Sequence, residues 1–275
     1  MIISDRHRFA FIHIPKCAGS YVRHYLEPFD DSGGAHATRV DEHAWLGRVD
    51  FVHIPMAVLR QYFAEEYRKI RRYRTFALVR DPVDRFASSV SQRLRMYGGR
   101  RAEDFTRWEL TREVDAVIEY LATNAGRELL PPGYIHFQPQ TDYIYDGGDR
   151  IVQSVYTMDN VAALLDDIGK LVGMTFDLEK VPSDHVSKRS RAYRNEIVRV
   201  VVEAVQFLSW RLAARLVPER GRQALRRLVY VPRSRRFPDV FESSVVTAFV
   251  EDYYRKDLAF YRSVVAEQDP GRPRA

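Results

Sequence analysis

The chain has 275 residues, 45% of them hydrophobic and 12% aromatic, which allows one large α/β domain or two small ones and excludes global disorder. A formal charge of +6 favours an anionic partner, such as a nucleotide, a polyanionic glycan, nucleic acid or an anionic membrane surface, without choosing among them. The single cysteine, Cys17, rules out an intramolecular disulfide and a Cys-based zinc site and fits a reducing compartment.

The first residues, MIISDRHRFAFIHIP, contain no apolar stretch long enough for a signal peptide or a membrane span, so the expectation is a soluble, cytoplasmic protein. Residues 9–15, FAFIHIP, predict a short buried strand, and a helix is expected from Gly19 to Leu26. DDSGGAHATR is a loop by composition. VDFVHIP predicts a second strand ending at Pro55, followed by a helical run, MAVLRQYFAEEYRKI. TFALVR, residues 75–80, predicts a third strand, and Asp81 with Pro82 supplies an N-cap and a first helical residue for DPVDRFASSVSQRLRMY. Strand, helix, strand, helix in this order predicts an α/β fold with a P-loop-like, open, mostly parallel sheet flanked by helices.

Further along, REVDAVIEYLATN is helical, PPGYIHFQPQTDYIYDGGDR is aromatic and turn-rich, and RIVQSVYTM predicts a strand. DNVAALLDDIGKLVG has helical periodicity, with Asp159 or Asn160 placed to cap it. VPSDHVSKRSR is a polar loop, residues 192–236 read as helical and Arg-rich, and VVTAFVEDYYRKDLAFYRSVV predicts a final amphipathic helix. With no internal repeat and no long linker, one domain is expected over 1–275, carrying an Arg-rich helical insertion at about 192–240.

Two segments point to phosphate chemistry. In PKCAGSY the backbone N–H groups of Lys16, Cys17, Ala18, Gly19, Ser20 and Tyr21 would open toward an anion at a helix N-terminus. Lys16 adds a mobile charge, Ser20 a hydroxyl, and Gly19 a close backbone approach. A tight βα turn with its lysine in solvent would share this pattern. The spacing is not the GxxxxGK[ST] of a nucleotide triphosphatase. In the second segment, Arg80 stands at a strand end and Ser88 two turns into the next helix, so together they could hold a second phosphate.

FIHIPKCAGS resembles the 5′-phosphosulfate loop of sulfotransferases that use 3′-phosphoadenosine 5′-phosphosulfate (PAPS), and TFALVRDPVDRFASSVSQRLR resembles their 3′-phosphate segment. The pattern is that of the Golgi-type carbohydrate sulfotransferases, which include heparan 2-O- and chondroitin enzymes and bacterial relatives. PQTDYIYDGG, VYTMDNVAALL and DYYRKDLAFY are weaker echoes, and residues 192–240 have no match to the pattern. Cys17 stands where Thr or Ala is more usual. The resemblance implies PAPS as donor, PAP as product, no metal, and a glycan or glycolipid as acceptor. It also implies that Ser187, Lys188 and Arg189 close over the 3′-phosphate or adenine, although solvated runs of this kind are common.

A general base is needed for the acceptor hydroxyl, and His53 is the choice, at a predicted strand end with Pro55 close behind. His13 reads as structural. His136, His36 and His43 could face the acceptor, and His185 neighbours the expected cofactor loop. Tyr134, Phe137, Tyr143 and Tyr145 could wall the acceptor or pack in the core. The Arg-rich stretch could touch an anionic acceptor or a membrane surface, or form a solvated helix face, and no nucleic acid is expected. Rival readings are a P-loop-like kinase using ATP and Mg²⁺, and a non-catalytic binder of polyanions or anionic membrane.

Overall fold

The computed structural model describes residues 1–37, 39–99, 105–178, 191–193, 230–232 and 238–268. The chain opens with β1 (Ile2–Ser4) and β2 (Phe9–Ile12), passes through a loop into α1 (Gly19–Leu26), then forms a hairpin of β3 (Asp41–His43) and β4 (Gly47–Val49). Helices α2 (Met56–Tyr62) and α3 (Ala64–Arg72) lead to β5 (Arg74–Val79) and the long α4 (Pro82–Tyr97). Next come α5 (Arg107–Thr123), the 3₁₀ turns Ile135–Phe137 and Gln140–Tyr143, and the small hairpin β6 (Tyr145–Asp146) and β7 (Asp149–Arg150). Strand β8 (Ser154–Thr157) and α6 (Val161–Val172) follow. Strands β9 (Arg191–Tyr193) and β10 (Tyr230–Pro232) pair antiparallel, and α7 (Pro238–Phe241), α8 (Ser244–Tyr253) and α9 (Arg255–Gln268) close the described chain.

The central sheet has the order β1-β2-β5-β8. Only β1 is antiparallel to its neighbour; β2 and β5 run parallel with Ile12 opposite Ala77, and β5 and β8 run parallel with Val79 opposite Thr157. Every residue of β2 and all but the first of β5 are buried, as expected of parallel strands covered on both faces. This register brings the loop after β2 and Arg80, the residue after β5, to the same sheet edge, where ligands gather in open α/β sheets. The predicted fold class is the one observed.

Two apolar cores hold this frame. One joins Phe9, Phe11 and Phe76 of the sheet to Val22 and Leu26 of α1, Ile70 of α3 and Leu164 and Ile168 of α6. The other sets Phe86, Val90 and Leu94 of α4 against Val114 and Val117 of α5 and Val246 and Val250 of α8. Asp81 caps α4 by accepting from the N–H groups of Val83 and Asp84, as its sequence position implies.

Five local expectations are corrected. VDFVHIP is not a strand of the sheet: only Val49 belongs to β4, and the N–H of Val52 and of His53 return to the side-chain and backbone oxygens of Asp50. This local turn competes with any ladder. The run expected as one helix from Met56 is broken at Phe63, whose backbone leaves the helical region (φ −132°, ψ 56°), and the final helix is likewise divided at Tyr254. No side chain caps α6; Asn160 instead donates through Nδ2 to Gln268 Oε1 at 2.7 Å. The helical expectation for 192–240 lies mostly outside the described residues; where they overlap it, 192–193 and 230–232 are strand and 238–240 are helical, in α7. Among the described residues, no helix is long and apolar enough to cross a membrane.

Candidate active site

The loop after β2 is held in a conformation that side chains rarely adopt. Lys16 (φ 66°) and Ala18 (φ 60°) both lie in the left-handed region, and Ala18 is the N-cap of α1. Such geometry costs about 1–2 kcal/mol per non-glycine residue, and its concentration in one short loop marks a segment shaped for contact. Gly19 has a reason the sequence does not show. A Cβ there would come within 2.0 Å of the His13 imidazole, so the glycine makes room for that ring as well as for any ligand.

The expected site residues separate here. The N–H of Tyr21 donates to Ala18 O at 3.0 Å, and its hydroxyl meets that of Tyr25 at 3.4 Å, so Tyr21 is withdrawn from the anion-facing set by ordinary helix closure. The N–H groups of Gly19 and Ser20 meet no acceptor among the described residues, as expected in the first turn of a helix. Cys17 is fully buried, and its thiol donates to Pro15 O and, at 3.2 Å, to Gln140 Oε1. Burial pushes the thiol up to about 11, so Cys17 contributes loop structure and its backbone amide, and no nucleophile.

Lys16 and Arg80 meet across the parallel pair: the Arg80 guanidinium donates to Lys16 O at 3.5 Å. Lys16 Nζ donates to Gln92 Oε1 at 3.3 Å, and Arg95 donates to the same oxygen at 3.0 Å. Arg80 also lies 4.0 Å from Asp84. Asp84, Ser88 and Gln92 are spaced four apart on α4 and share a face, so the half-buried Ser88 sits between a residue touching Arg80 and one touching Lys16. Arg85, five residues beyond Arg80, is structural. It is buried and donates to the carbonyls of His136 and Gln138. Burial, then Arg80, Arg95 and Arg39, lower Lys16 to about 8. The arginines add to burial in disfavouring the charged amine, and a multiply charged anion would relieve that repulsion.

His53 reaches the same edge from its loop. Its Nδ1 lies 3.0 Å from His13 O, an atom that only accepts, so Nδ1 carries the proton and Nε2 the lone pair. The rings of His13 and His53 pack edge to face at 4.5 Å, and those of His53 and His136 at 5.7 Å. Burial holds all three well below the usual histidine value, so each is neutral at neutral pH. His136 Nε2 accepts from Arg39 at 3.0 Å, and Arg39 lies 3.5 Å from Asp50. Asp50, His53 and His136 can each bring one donor atom within 4.8 Å of the others, a spacing open to a metal ion. The guanidinium of Arg39 already stands on two of those three, so the cluster carries its own cation.

The other histidines and aromatics pack elsewhere. His43 joins Phe51, Tyr62 and Phe63, and the buried His36 sits over Phe63. Phe137 and Tyr143 are fully buried, Tyr134 stacks on Tyr120 at 3.6 Å, and Tyr145 meets Phe260 at 5.6 Å, which is the packing reading for the set. His185, Ser187, Lys188 and Arg189 lie outside the described residues. Arg39, Asp50, Gln92 and Gln140 were not singled out from the sequence. Gln92 lies within TFALVRDPVDRFASSVSQRLR and Gln140 within PQTDYIYDGG, but the targets of Gln140 are 60 and 123 residues away.

A parallel sheet edge with a strained, lysine-bearing loop, a second arginine segment and a neutral histidine is an arrangement suited to holding an anionic group beside a base. The model of the sulfotransferase family matches residues 1–201, and the chain belongs to that family. It is a sulfuryl-transferring enzyme of the class that includes such transferases. Neither a curated protein nor a solved structure matches the chain.

Proposed function

We propose that the chain moves the sulfuryl group of PAPS to a hydroxyl of a glycan or glycolipid acceptor, leaving PAP. The contact between Arg80 and the Lys16 carbonyl carries this reading, because it brings the two candidate anion-binding segments together at one sheet edge, as a donor with two anionic groups requires. PAPS supplies a sulfuryl group activated by its anhydride link to phosphate. Lys16 with the amides of residues 17–20 holds the 5′ side, and Arg80 with Ser88 holds the 3′-phosphate. Lys16 strengthens its contact as negative charge gathers on the leaving phosphate. His53 accepts the acceptor's proton at Nε2, while the His13 carbonyl fixes the ring. The glycan acceptor rests on the family resemblance and the net positive charge of the chain.

The test is a thermal-shift titration with PAP beside 5′-AMP and ATP plus Mg²⁺, since a ligand that binds only the native state raises Tm by mass action. PAP is expected to stabilise and AMP to do little. Lys16→Ala and Arg80→Ala should each weaken PAP binding by about 1.5–3 kcal/mol, as loss of a charge-assisted bond does. Unchanged affinity in both variants, or stabilisation by ATP plus Mg²⁺ alone, overturns the assignment.

A further inference from the structure

The geometry points to Gln140 as a positioning residue that sets both donor-binding segments at once, with Asp257 of α9 holding it in place. This rests on the donor reading above. Arg80 is the first residue after β5, where the sheet's pairing ends: the last partners are Ala77 toward β2 and Val79 toward β8. Beyond that point the side-chain amide of Gln140 takes over. Its Oε1 accepts from Arg80 N at 2.9 Å and its Nε2 donates to Arg80 O at 2.9 Å, as a neighbouring peptide group would. The same Oε1 accepts the Cys17 thiol at 3.2 Å, in the middle of the strained loop. One planar amide thus fixes the arginine segment and the lysine loop relative to each other. An ionised glutamate of the same length would offer acceptors only.

Gln140 is itself anchored from far along the chain. Asp257, 1% exposed, accepts from Gln140 N at 2.7 Å, Thr141 N at 2.9 Å and Thr141 Oγ1 at 2.8 Å. Its carboxylate sits on the first amides of the 3₁₀ turn Gln140–Tyr143, where negative charge is favoured. At the other end of α9, Gln268 accepts from Thr157 N and donates to Val155 O on β8. Residues beyond the family match at 201 therefore hold the frame of the site.

Gln140→Met keeps the volume and removes the hydrogen bonds. With PAPS as donor, kcat/KM should fall about 10²-fold, the scale of a misplaced binding group. Arg80→Ala should then add far less loss in the Gln140→Met background than in the unmodified protein, because the guanidinium is already displaced. Cys17 is the sole thiol, so alkylation by iodoacetamide reports on its loop without any donor present. Its rate should rise about 2- to 10-fold in folded Gln140→Met, the factor of a lost hydrogen bond. Gln140→Glu loses the donor and sets a buried carboxylate oxygen against Arg80 O, so its kcat/KM should fall at least as far as that of Gln140→Met. A lower Tm with unchanged donor kinetics, unchanged thiol rate and additive Arg80→Ala losses in either variant makes Gln140 a filler and overturns the inference. Failure of the unmodified protein to bind PAP overturns the donor reading instead, whereas faster alkylation still upholds the clamp.

Discussion

His53 is held by His13: the Nδ1–H of one donates to the main-chain carbonyl of the other at 3.0 Å. The backbone of β2's trailing loop thereby chooses the tautomer of the residue proposed as base and leaves Nε2 as its basic atom. His53→Ala should lose about 10²–10⁴-fold in turnover while PAP affinity stays unchanged, since in the proposed reading the ring takes the acceptor's proton and does not bind the donor phosphates. Parallel measurement of kcat and PAP dissociation checks this. A variant that keeps its turnover would demote His53 to packing.

The pH profile should be set by Lys16 on its alkaline side. Burial and the neighbouring arginines lower its pKa to about 8, so the ammonium form that binds phosphate is lost as pH rises through that value. kcat/KM for the donor, which reports the free enzyme, should fall above about pH 8; the limb in kcat should lie higher because bound phosphates favour the charged amine. Lys16→Arg should remove the limb. On the acid side His53, well below 6.5, keeps its lone pair, so activity should not decline on lowering pH to 6.5.

Stability should fall as the solution is acidified below pH 6.5. His13, His53 and His136 are held well below 6.5 and His36 at about 4, so the unfolded chain binds protons there that the folded chain refuses. Each contributes a loss of roughly 1 kcal/mol per pH unit while the pH lies between its two values. The buried Met1 amine, at about 4, acts in the same direction. Asp50 and Asp142, raised to about 6, oppose it only below that pH, because there the folded form holds the extra proton. Thermal melts between about pH 7.5 and 5, which cross the unfolded histidine value of about 6.5, should show Tm dropping; a flat Tm would contradict the burial of the histidine cluster.

Gly19→Ala should destabilise the protein by about 1–3 kcal/mol, the usual range for forcing an extra methyl into packed space. The new Cβ would overlap the His13 ring, which in turn carries His53. Denaturant unfolding gives the stability change, and the activity loss should exceed what the unfolded fraction explains.

The parts of the fold legible in the sequence were those written in contiguous residues. FAFIHIPKCAGS and TFALVRDPVDRF each hold a buried strand, its turn and a helix start, so the sheet edge and the Lys16–Arg80 pairing could be anticipated. VDFVHIP misled because its apolar alternation is that of a strand, whereas Asp50 captures the amides of Val52 and His53 from within the same segment. His53 still reaches the expected edge, through a bond to His13, 40 residues away. Arg39 and Gln140 left no local trace because they act on partners 97 and 60 residues distant, which a single sequence does not pair.

The anchoring of Gln140 by Asp257 also bears on how the protein is made. A nascent chain emerging from the ribosome has completed β2, β5 and both loops long before residue 257 is added. Until then the peptide of Gln140 lacks its carboxylate partner. On the proposed reading, the clamp between the two donor segments would gain its anchor late in synthesis, when α9 is added.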